Sequence, residues 1–284
     1  MSRLKELLMH GVFLLAACVS IASVALICGF LVVNSVPALQ EIGLIQFLTG
    51  QKWKPGNDIY GILPMILGSI YVTAGAILLG VPIAVLTAIF MARFCPRRLY
   101  RILKPAINLM AGIPSVIYGF FGLVVLVPVV RDVFGGKGYS LLTASIMLAL
   151  MILPTVIGVA EAAIRAVPES YYEGSLALGA SHERSVFFAV FPAAKSGVMA
   201  GVILGIGRAI GETMAVIMVA GNQPRMPNGI LNGVRTLTTN IAMDMGYAAD
   251  LHRGALIATG LVLFVFILMI NLLFSIVKKR GEKA

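Results

Sequence analysis

The chain has 284 residues, of which 59% are hydrophobic and only 12% are charged, with a mean hydropathy of +0.97 and a formal net charge of +10. Soluble domains average ~45–50% apolar and ~25% charged residues, so a water-soluble globule is excluded. The composition also excludes a disulfide-rich, a collagen-like and a disordered chain, which leaves a membrane protein.

Long stretches without Asp, Glu, Lys or Arg mark the predicted membrane spans. A helix needs ~20 residues to cross the hydrocarbon, and five charge-free stretches exceed that length. A sixth apolar stretch, at 196–223, is interrupted only by Arg208 and Glu212. Continuous apolar runs exclude barrel strands, which alternate. The sequence therefore predicts an all-α membrane protein with six transmembrane helices. In chain order they cover roughly Gly11–Val36, Tyr60–Met91, Ala106–Val130, Tyr139–Ala160, Ser196–Ala220 and Gly254–Ile276.

The predicted helices divide the chain into two parts. Residues 1–59 supply the first helix and an outer segment, and residues 60–284 form the core, with the largest polar inner segment at 161–195. The first apolar run is too long for a signal-peptide core, so we expect a retained helix. The Gly-Ile-Pro-Ser motif at 112–115 predicts a bend in the third helix. Trp53 is expected to anchor the outer segment at the membrane interface.

The basic residues are distributed unequally across the predicted membrane. Fourteen of the 22 lysines and arginines lie on the side that carries both chain termini. The positive-inside rule places that side, and both termini, in the cytoplasm. Arg97, Arg98 and Arg101 then face anionic lipid headgroups. The excess positive charge is therefore assigned to the membrane and not to a nucleic acid.

The inner segment 161–195 has the pattern of two short helices separated by a turn. Gly179 is the expected turn residue, and the segment closes with a proline. Ser181 is expected to cap the second helix, leaving His182 and the two charged residues after it exposed at the elbow. Two interpretations stay open: a surface loop, or a docking surface for a soluble partner.

This segment resembles the signature of ABC-importer permeases, which reads Glu-Ala-Ala, three residues, Gly, nine residues, Ile-x-Leu-Pro. Glu173, Gly174 and Ser175 occupy the first three places, Gly179 the glycine and Pro192 the proline. Alanine and phenylalanine replace the usual Ile and Leu. A literal Glu-Ala-Ala occurs earlier, but valine and alanine stand where its Gly and Pro should be.

The resemblance implies that the signature segment contacts a cytoplasmic ATPase. The residues to which it assigns that coupling role are Glu173, Gly174, Gly179, Ser181, His182 and Pro192. No G-x-x-x-x-G-K-[ST] phosphate loop is present, so ATP is expected to bind the partner subunit, with no cofactor here. The chain is accordingly predicted not to be an enzyme.

Two further motifs narrow the resemblance. The segments 112–119 and 207–216 resemble the permease pair of the high-affinity phosphate (Pst) importers. The ending Glu-Thr-Met-Ala-Val and the Met-Val-Ala-Gly-Asn at 218–222 are similar to the C-type subunit, whereas the A type usually continues Glu-Thr-Ala-Pro. The resemblance is weakest before Tyr60. It implies a type I ABC-importer permease fold in a bacterial inner membrane, an A-type permease partner, two ATPase copies and an extracytoplasmic phosphate-binding protein.

Arg208 and Glu212 are the two charges inside the fifth predicted helix. A charge at the bilayer centre costs ~2.5–3.5 kcal/mol, so both must face each other, the bundle or water. Their four-residue spacing puts them on the face of Gly197, Gly201 and Gly205, and such glycine stripes mark close helix approach. Two roles stay open: a structural ion pair, or a pathway pair in which the arginine meets phosphate while the glutamate holds the guanidinium. The resemblance favours a transport role.

The sequence also contains weaker candidates for a metal site and for a polar pathway, and it leaves three rival functions open. The three histidines are scattered, so no metal site is expected. Asn108, Ser115 and Tyr118 are polar residues that either line a pathway or bond neighbouring helices. The rival functions are a permease for molybdate or sulfate, an ion-driven secondary carrier and a membrane-bound signalling subunit. A carrier needs no docking segment and typically shows inverted repeats.

Overall fold

A computed structural model describes residues 2–281 of the chain, and within them the structure is built from helices and one small hairpin. The helices are α1 (Ser2–Ile42), α2 (Leu44–Thr49), α3 (Leu63–Ile89), α4 (Arg97–Gly112), α5 (Ser115–Phe121), α6 (Val127–Phe134), α7 (Leu141–Arg165), α8 (Glu169–Ala177), α9 (His182–Ser185), α10 (Phe191–Ala193), α11 (Lys195–Gly211), α12 (Met214–Val219), α13 (Leu237–Asp244) and α14 (Asp250–Gly281). The antiparallel strands are β1 (Trp53–Lys54) and β2 (Ile59–Tyr60). Single π-helical turns extend or join helices at Phe90–Phe94, Gly122–Leu126 and Val186–Val190.

These helices give five membrane crossings, and a sixth when one bent pair is counted as a single crossing, in agreement with the six predicted. Five stretches of the described chain are long and apolar enough to cross a membrane: Lys5–Ile42, Leu63–Phe94, Ser115–Phe134, Leu141–Arg165 and Asp250–Leu273. The bent pair is His182–Ala193 with Lys195–Gly211, and its two parts meet at 69°.

The prediction of a third helix over residues 106–130 is wrong in its bounds. α4 ends at Gly112, and Ile113 and Pro114 adopt extended backbone before α5 begins at Ser115. Proline disfavours helical backbone at the preceding residue, so the expected bend at 112–115 is a complete break. The crossing therefore starts at Ser115, and the residues before the break belong to α4, outside the spans.

The core of the bundle surrounds α7, which packs against α3 on one side and α11 on another. Small residues permit the close approach. A Cβ on Gly75 of α3 would overlap Ser145, and a Cβ on Gly201 of α11 would press against Val159. The expected glycine stripe of the fifth crossing is confirmed, because it faces a neighbouring helix and not lipid.

The first helix lies at the edge of the bundle. α1 packs mainly along α14, where Gly254 admits the side chain of Ala38. Most of its apolar side chains, such as Ile21 and Leu26, are exposed in the single chain. Exposed apolar surface of this extent is suited to lipid or to another transmembrane subunit.

Candidate functional site

Arg208 lies in the last turn of α11, on the side that faces α7. Its side chain is half-buried, and Nη1 donates a hydrogen bond to Oγ1 of Thr155 at 3.1 Å. Throughout residues 2–281 no carboxylate oxygen comes within 4.0 Å of its guanidinium. A guanidinium has five N–H donors, and one hydroxyl does not neutralise its charge. Arg208 is thus a cation in an apolar helix whose described neighbours offer no counter-charge.

Glu212 does not share a helical face with Arg208, which corrects the sequence prediction. α11 ends at Gly211, and Glu212 has extended backbone with φ −70° and ψ 131°. Its Oε1 instead accepts the backbone N–H of Ala215 at 3.1 Å, in the first turn of α12. A carboxylate is stabilised there because the unpaired N–H groups of a helix start carry positive charge. The ion pair that both proposed roles assumed is therefore absent from the described residues.

The break between α11 and α12 is held by hydroxyl groups. Thr213 Oγ1 donates to the carbonyl of Gly211 at 3.2 Å, and Thr238 Oγ1 of α13 donates to the carbonyl of Glu212 at 3.1 Å. These bonds satisfy carbonyls that a continuous helix would have used internally. The fifth predicted helix, at 196–220, is consequently two helices, and the break lies at Glu212, four residues after Arg208.

A second break faces this one from the third crossing. Tyr118 is buried in α5, and its O–H donates to the carbonyl of Met110 at 2.9 Å, bridging the end of α4 and the start of α5. This is the helix-bonding role considered for Tyr118, whereas Asn108 is exposed on α4. α5 packs against α12, with Gly119 close to Ala215.

The predicted coupling segment folds as two short helices with a turn at Gly179. That glycine has φ +86°, a left-handed conformation that glycine adopts without steric cost. Ser181 caps α9, since its Oγ accepts the N–H of Arg184 at 3.3 Å. Glu173, Gly174 and Pro192 are all exposed. The local structure of the segment is confirmed, and its outer surface is open.

His182 is less exposed than the sequence suggested. Its Nδ1 is 2.7 Å from the hydroxyl of Tyr172 in α8, and its ring meets the edge of Phe94 at a centroid distance of 4.7 Å. Beside it, Arg93 Nη1 donates to Oε2 of Glu169 at 2.9 Å. The coupling segment is therefore attached to the π-helical turn that ends the α3 crossing, and spacing alone gave no sign of these partners.

Glu161 is a buried charge whose importance the sequence did not reveal. Its carboxylate, 2% exposed, accepts bonds from Lys104 Nζ at 2.6 Å, Tyr100 O–H at 2.7 Å and Arg165 Nε at 2.8 Å. Arg165 also donates to the carbonyl of Met91 at 2.7 Å. The hydrogen bond to Glu161 raises the pKa of Tyr100. These contacts, called here the Glu161 node, tie α4 and the end of α3 to α7.

A comparable cluster lies at the opposite end of the bundle, around Asp244. Trp53 Nε1 donates to Oδ2 at 3.1 Å and Tyr247 O–H to Oδ1 at 2.8 Å, while Arg235 Nη1 is 3.5 Å from Oδ2. The expected interface anchor is therefore wrong, because Trp53 is buried against His252 and the acid. The hydrogen bond to Asp244 raises the pKa of Tyr247. The cluster borders a cavity of about 520 Å³.

Comparisons with known proteins agree with this architecture. Residues 80–283 match the family described as binding-protein-dependent transport system inner membrane component. A probable ABC transporter permease protein, YqgH of Bacillus subtilis, is 39% identical over 279 residues, covering 94% of this chain and 90% of the relative. The phosphate transport system permease protein PstC of Mesorhizobium japonicum is 36% identical over 258 residues, covering 84% and 79%.

Solved structures share the fold at low sequence identity. A chain of the MetNI methionine ABC transporter in an inward-facing conformation superposes with a TM-score of 0.58 at 19% identity, covering 78% of this chain and 94% of that chain. A bacterial alginate ABC transporter in complex with an alginate pentasaccharide-bound periplasmic protein superposes with a TM-score of 0.59 at 14% identity. The match covers 88% of this chain and 87% of that chain. The six crossings thus have the type I ABC-importer fold. With the family match over residues 80–283 and the extended identity to PstC proteins, the chain belongs to the binding-protein-dependent inner membrane permeases, in the group that includes PstC.

Proposed function

We propose that the chain is a permease subunit of an ATP-driven phosphate importer, forming half of the translocation pathway. Relatives named phosphate transport permeases, 36% identical in Mesorhizobium japonicum and 32% in Methanocaldococcus jannaschii, support phosphate as the substrate. The observation that carries the proposal is Arg208, a half-buried cation that the described residues leave without a carboxylate. Guanidinium groups bind phosphate oxygens in a bidentate manner, so an anion is the natural partner of Arg208.

Glu212 has a complementary role in this proposal. Its carboxylate is fixed by the N–H of Ala215 and lies at the break between α11 and α12, a few residues beyond Arg208. A negative charge near the arginine weakens the binding of an anion without cancelling the cation. Conduction requires sites that release their ion readily. Arg208 therefore attracts phosphate, and Glu212 prevents its trapping.

The proposed complex places both termini in the cytoplasm and assigns separate tasks to separate subunits. An A-type permease supplies the other half of the pathway, two cytoplasmic ATPase subunits bind ATP, and an extracytoplasmic protein delivers phosphate. The coupling residues inferred from the signature are Glu173, Gly174, Gly179, Ser181, His182 and Pro192. Leu178, 91% exposed beside the turn, fits a docking role because an apolar side chain gains by entering a cleft. ATPase closure then moves the helices by rigid-body gating.

Transport by the complete complex in proteoliposomes tests the proposal. Uptake of labelled phosphate should require ATP and the binding protein, and excess unlabelled molybdate or sulfate should compete little. Arg208→Leu should reduce uptake at least a hundredfold while the complex still assembles, and Arg208→Lys should retain part of it, since ammonium keeps the charge but loses the fork. Arg131→Gln, which removes an exposed arginine, is the matched control. Normal uptake by assembled Arg208→Leu would refute the pathway role, and stronger competition by another oxyanion would reassign the substrate.

A further inference from the structure

Helix α4 carries three exposed arginines, Arg97, Arg98 and Arg101, which we call the basic strip. α4 is not a membrane span; it connects the α3 crossing to the α5 crossing. Both crossings meet the same membrane surface, so α4 lies at that surface. Its 16 residues begin directly after the proline at position 96, and the strip occupies its first two turns.

The charge of the basic strip is uncompensated, in contrast to that of its neighbours. Arg93 is bonded to Glu169 at 2.9 Å, and Lys104 is bonded to Glu161 at 2.6 Å. For the three arginines of the strip, no carboxylate oxygen lies within 4.0 Å anywhere in the part of the chain that the structure describes. Two structural cations are thus paired within the fold, and three remain available on its surface.

Apolar side chains are exposed directly beside the basic strip. With 100° per residue, Ile102 and Leu109 follow the arginines around the helix, and they are 68% and 73% exposed. The opposite side packs on the bundle through Ile107 and through Tyr100, whose hydroxyl is bound by Glu161. The Glu161 node therefore fixes the rotation of α4, so that basic and apolar groups face outward together.

We propose that the basic strip of α4 is a binding site for anionic phospholipid, with Ile102 and Leu109 among the acyl chains. A helix with cationic and apolar sectors side by side matches the boundary between headgroups and acyl chains. Arginine forks bind the lipid phosphate, and the net negative charge of each lipid offsets part of the positive charge of the strip. An acidic protein partner would satisfy the arginines but would leave the two apolar side chains facing a polar surface. The proposal uses neither Arg208 nor phosphate transport.

Lipid binding is measured directly by native mass spectrometry on the purified full-length chain in a neutral detergent. The probes are short-chain phosphatidylglycerol and, as the uncharged comparison, short-chain phosphatidylcholine. Each basic residue near a membrane surface is worth about fivefold in association, which corresponds to ~1 kcal/mol. The triple variant R97Q/R98Q/R101Q should therefore lose the preference for phosphatidylglycerol, and Arg101→Gln alone should lose about fivefold. The matched control K52Q/K54Q/R131Q removes three exposed cations elsewhere and should keep the preference.

Several outcomes would overturn this site. Equal phosphatidylglycerol affinity in the triple variant and the unaltered chain would place the lipid elsewhere. Displacement of the lipid by an equal concentration of inorganic phosphate would indicate a site for the free anion. If the assembled transporter shows no preference while the isolated chain does, a partner subunit covers the strip. A single arginine variant with unchanged affinity refutes the site even where the triple variant unfolds. All of these readouts are independent of the transport proposal.

Discussion

The Glu161 node gives the sharpest stability prediction. Glu161→Gln keeps the shape of the side chain but removes the negative charge that three donors share. Its carboxylate is buried, whereas Lys104 and Arg165 are 32% and 45% exposed, so water compensates part of their charge when the acid is lost. Removing one partner of a fully buried pair costs ~3–5 kcal/mol, and hydrogen bonds to charged groups contribute ~1.5–3 kcal/mol. Because Lys104 and Arg165 are partly exposed, we expect Glu161→Gln to lower the free energy of unfolding by ~2–3 kcal/mol.

Thermal unfolding of the purified chain measures this loss. For a chain of this size, 1 kcal/mol shifts the melting temperature by roughly 2–4 °C, so Glu161→Gln should melt about 4–12 °C lower. The matched control is Asp132→Asn, which breaks the exposed pair between Arg131 and Asp132 at 2.9 Å. Exposed pairs contribute ~0–1 kcal/mol, so the control should shift by at most a few degrees.

A second substitution separates charge from hydrogen bonding. Glu161→Leu removes every acceptor and strands the hydroxyl of Tyr100 and both cations, so it should destabilise more than Glu161→Gln. Combining Glu161→Leu with Lys104→Met should recover part of the loss, because the stranded ammonium is gone. If Glu161→Gln melts within a degree of the control, the carboxylate does not hold α4 to α7, and the reasoning fails.

Two further predictions concern the coupling segment and the topology. Gly179→Val should uncouple ATP hydrolysis from phosphate uptake in the reconstituted complex, because valine is strained at φ +86°. Glu173→Lys should also uncouple them, because it reverses the charge of one exposed residue of the docking surface. Gly56→Ala, with open space around its Cβ, is the control, and normal uptake by both coupling variants would contradict the assignment of the segment. A cysteine that replaces Arg184 should be protected from an impermeant thiol reagent on intact cells, whereas a cysteine that replaces Arg225 should be labelled. The reverse pattern would invert the orientation.

The features that the sequence predicted well are those determined locally. Five of the six predicted crossings depend on a charge-free apolar run, which a hydropathy profile detects directly. The turn at Gly179 depends on one residue that tolerates positive φ, and the cap at Ser181 depends on a hydroxyl one turn before the N–H that it accepts. In these cases the cause of the structure lies within a few residues of its effect.

The features that the sequence missed depend on distant partners. Glu212 leaves the helix because its carboxylate caps α12 and its carbonyl accepts the hydroxyl of Thr238, 26 residues away. Glu161 is buried because Tyr100 and Lys104, 61 and 57 residues earlier, converge on it. A helical wheel assumes an unbroken helix, so it could not show that Glu212 leaves the helix. The signature spacing tests Glu161 only as the start of a Glu-Ala-Ala motif. Its actual role, as a buried acceptor of hydrogen bonds from three side chains, lies outside that test.

The two breaks give the bundle a means of moving Glu212 relative to Arg208. α11 is held along α7 by its glycine stripe, so Arg208 stays with α7 and its partner Thr155. α12 packs mainly on α5, which follows the break at Pro114, and less extensively on α7; α5 is linked through Met110 to α4. Packed helices move as rigid segments, and the extended residues between them absorb the change in direction. We infer that a shift of α5 and α12 about the two breaks, while α4 stays bound to α7 through the Glu161 node, changes the separation of the two charged residues, where the proposed pathway would hold or release its anion.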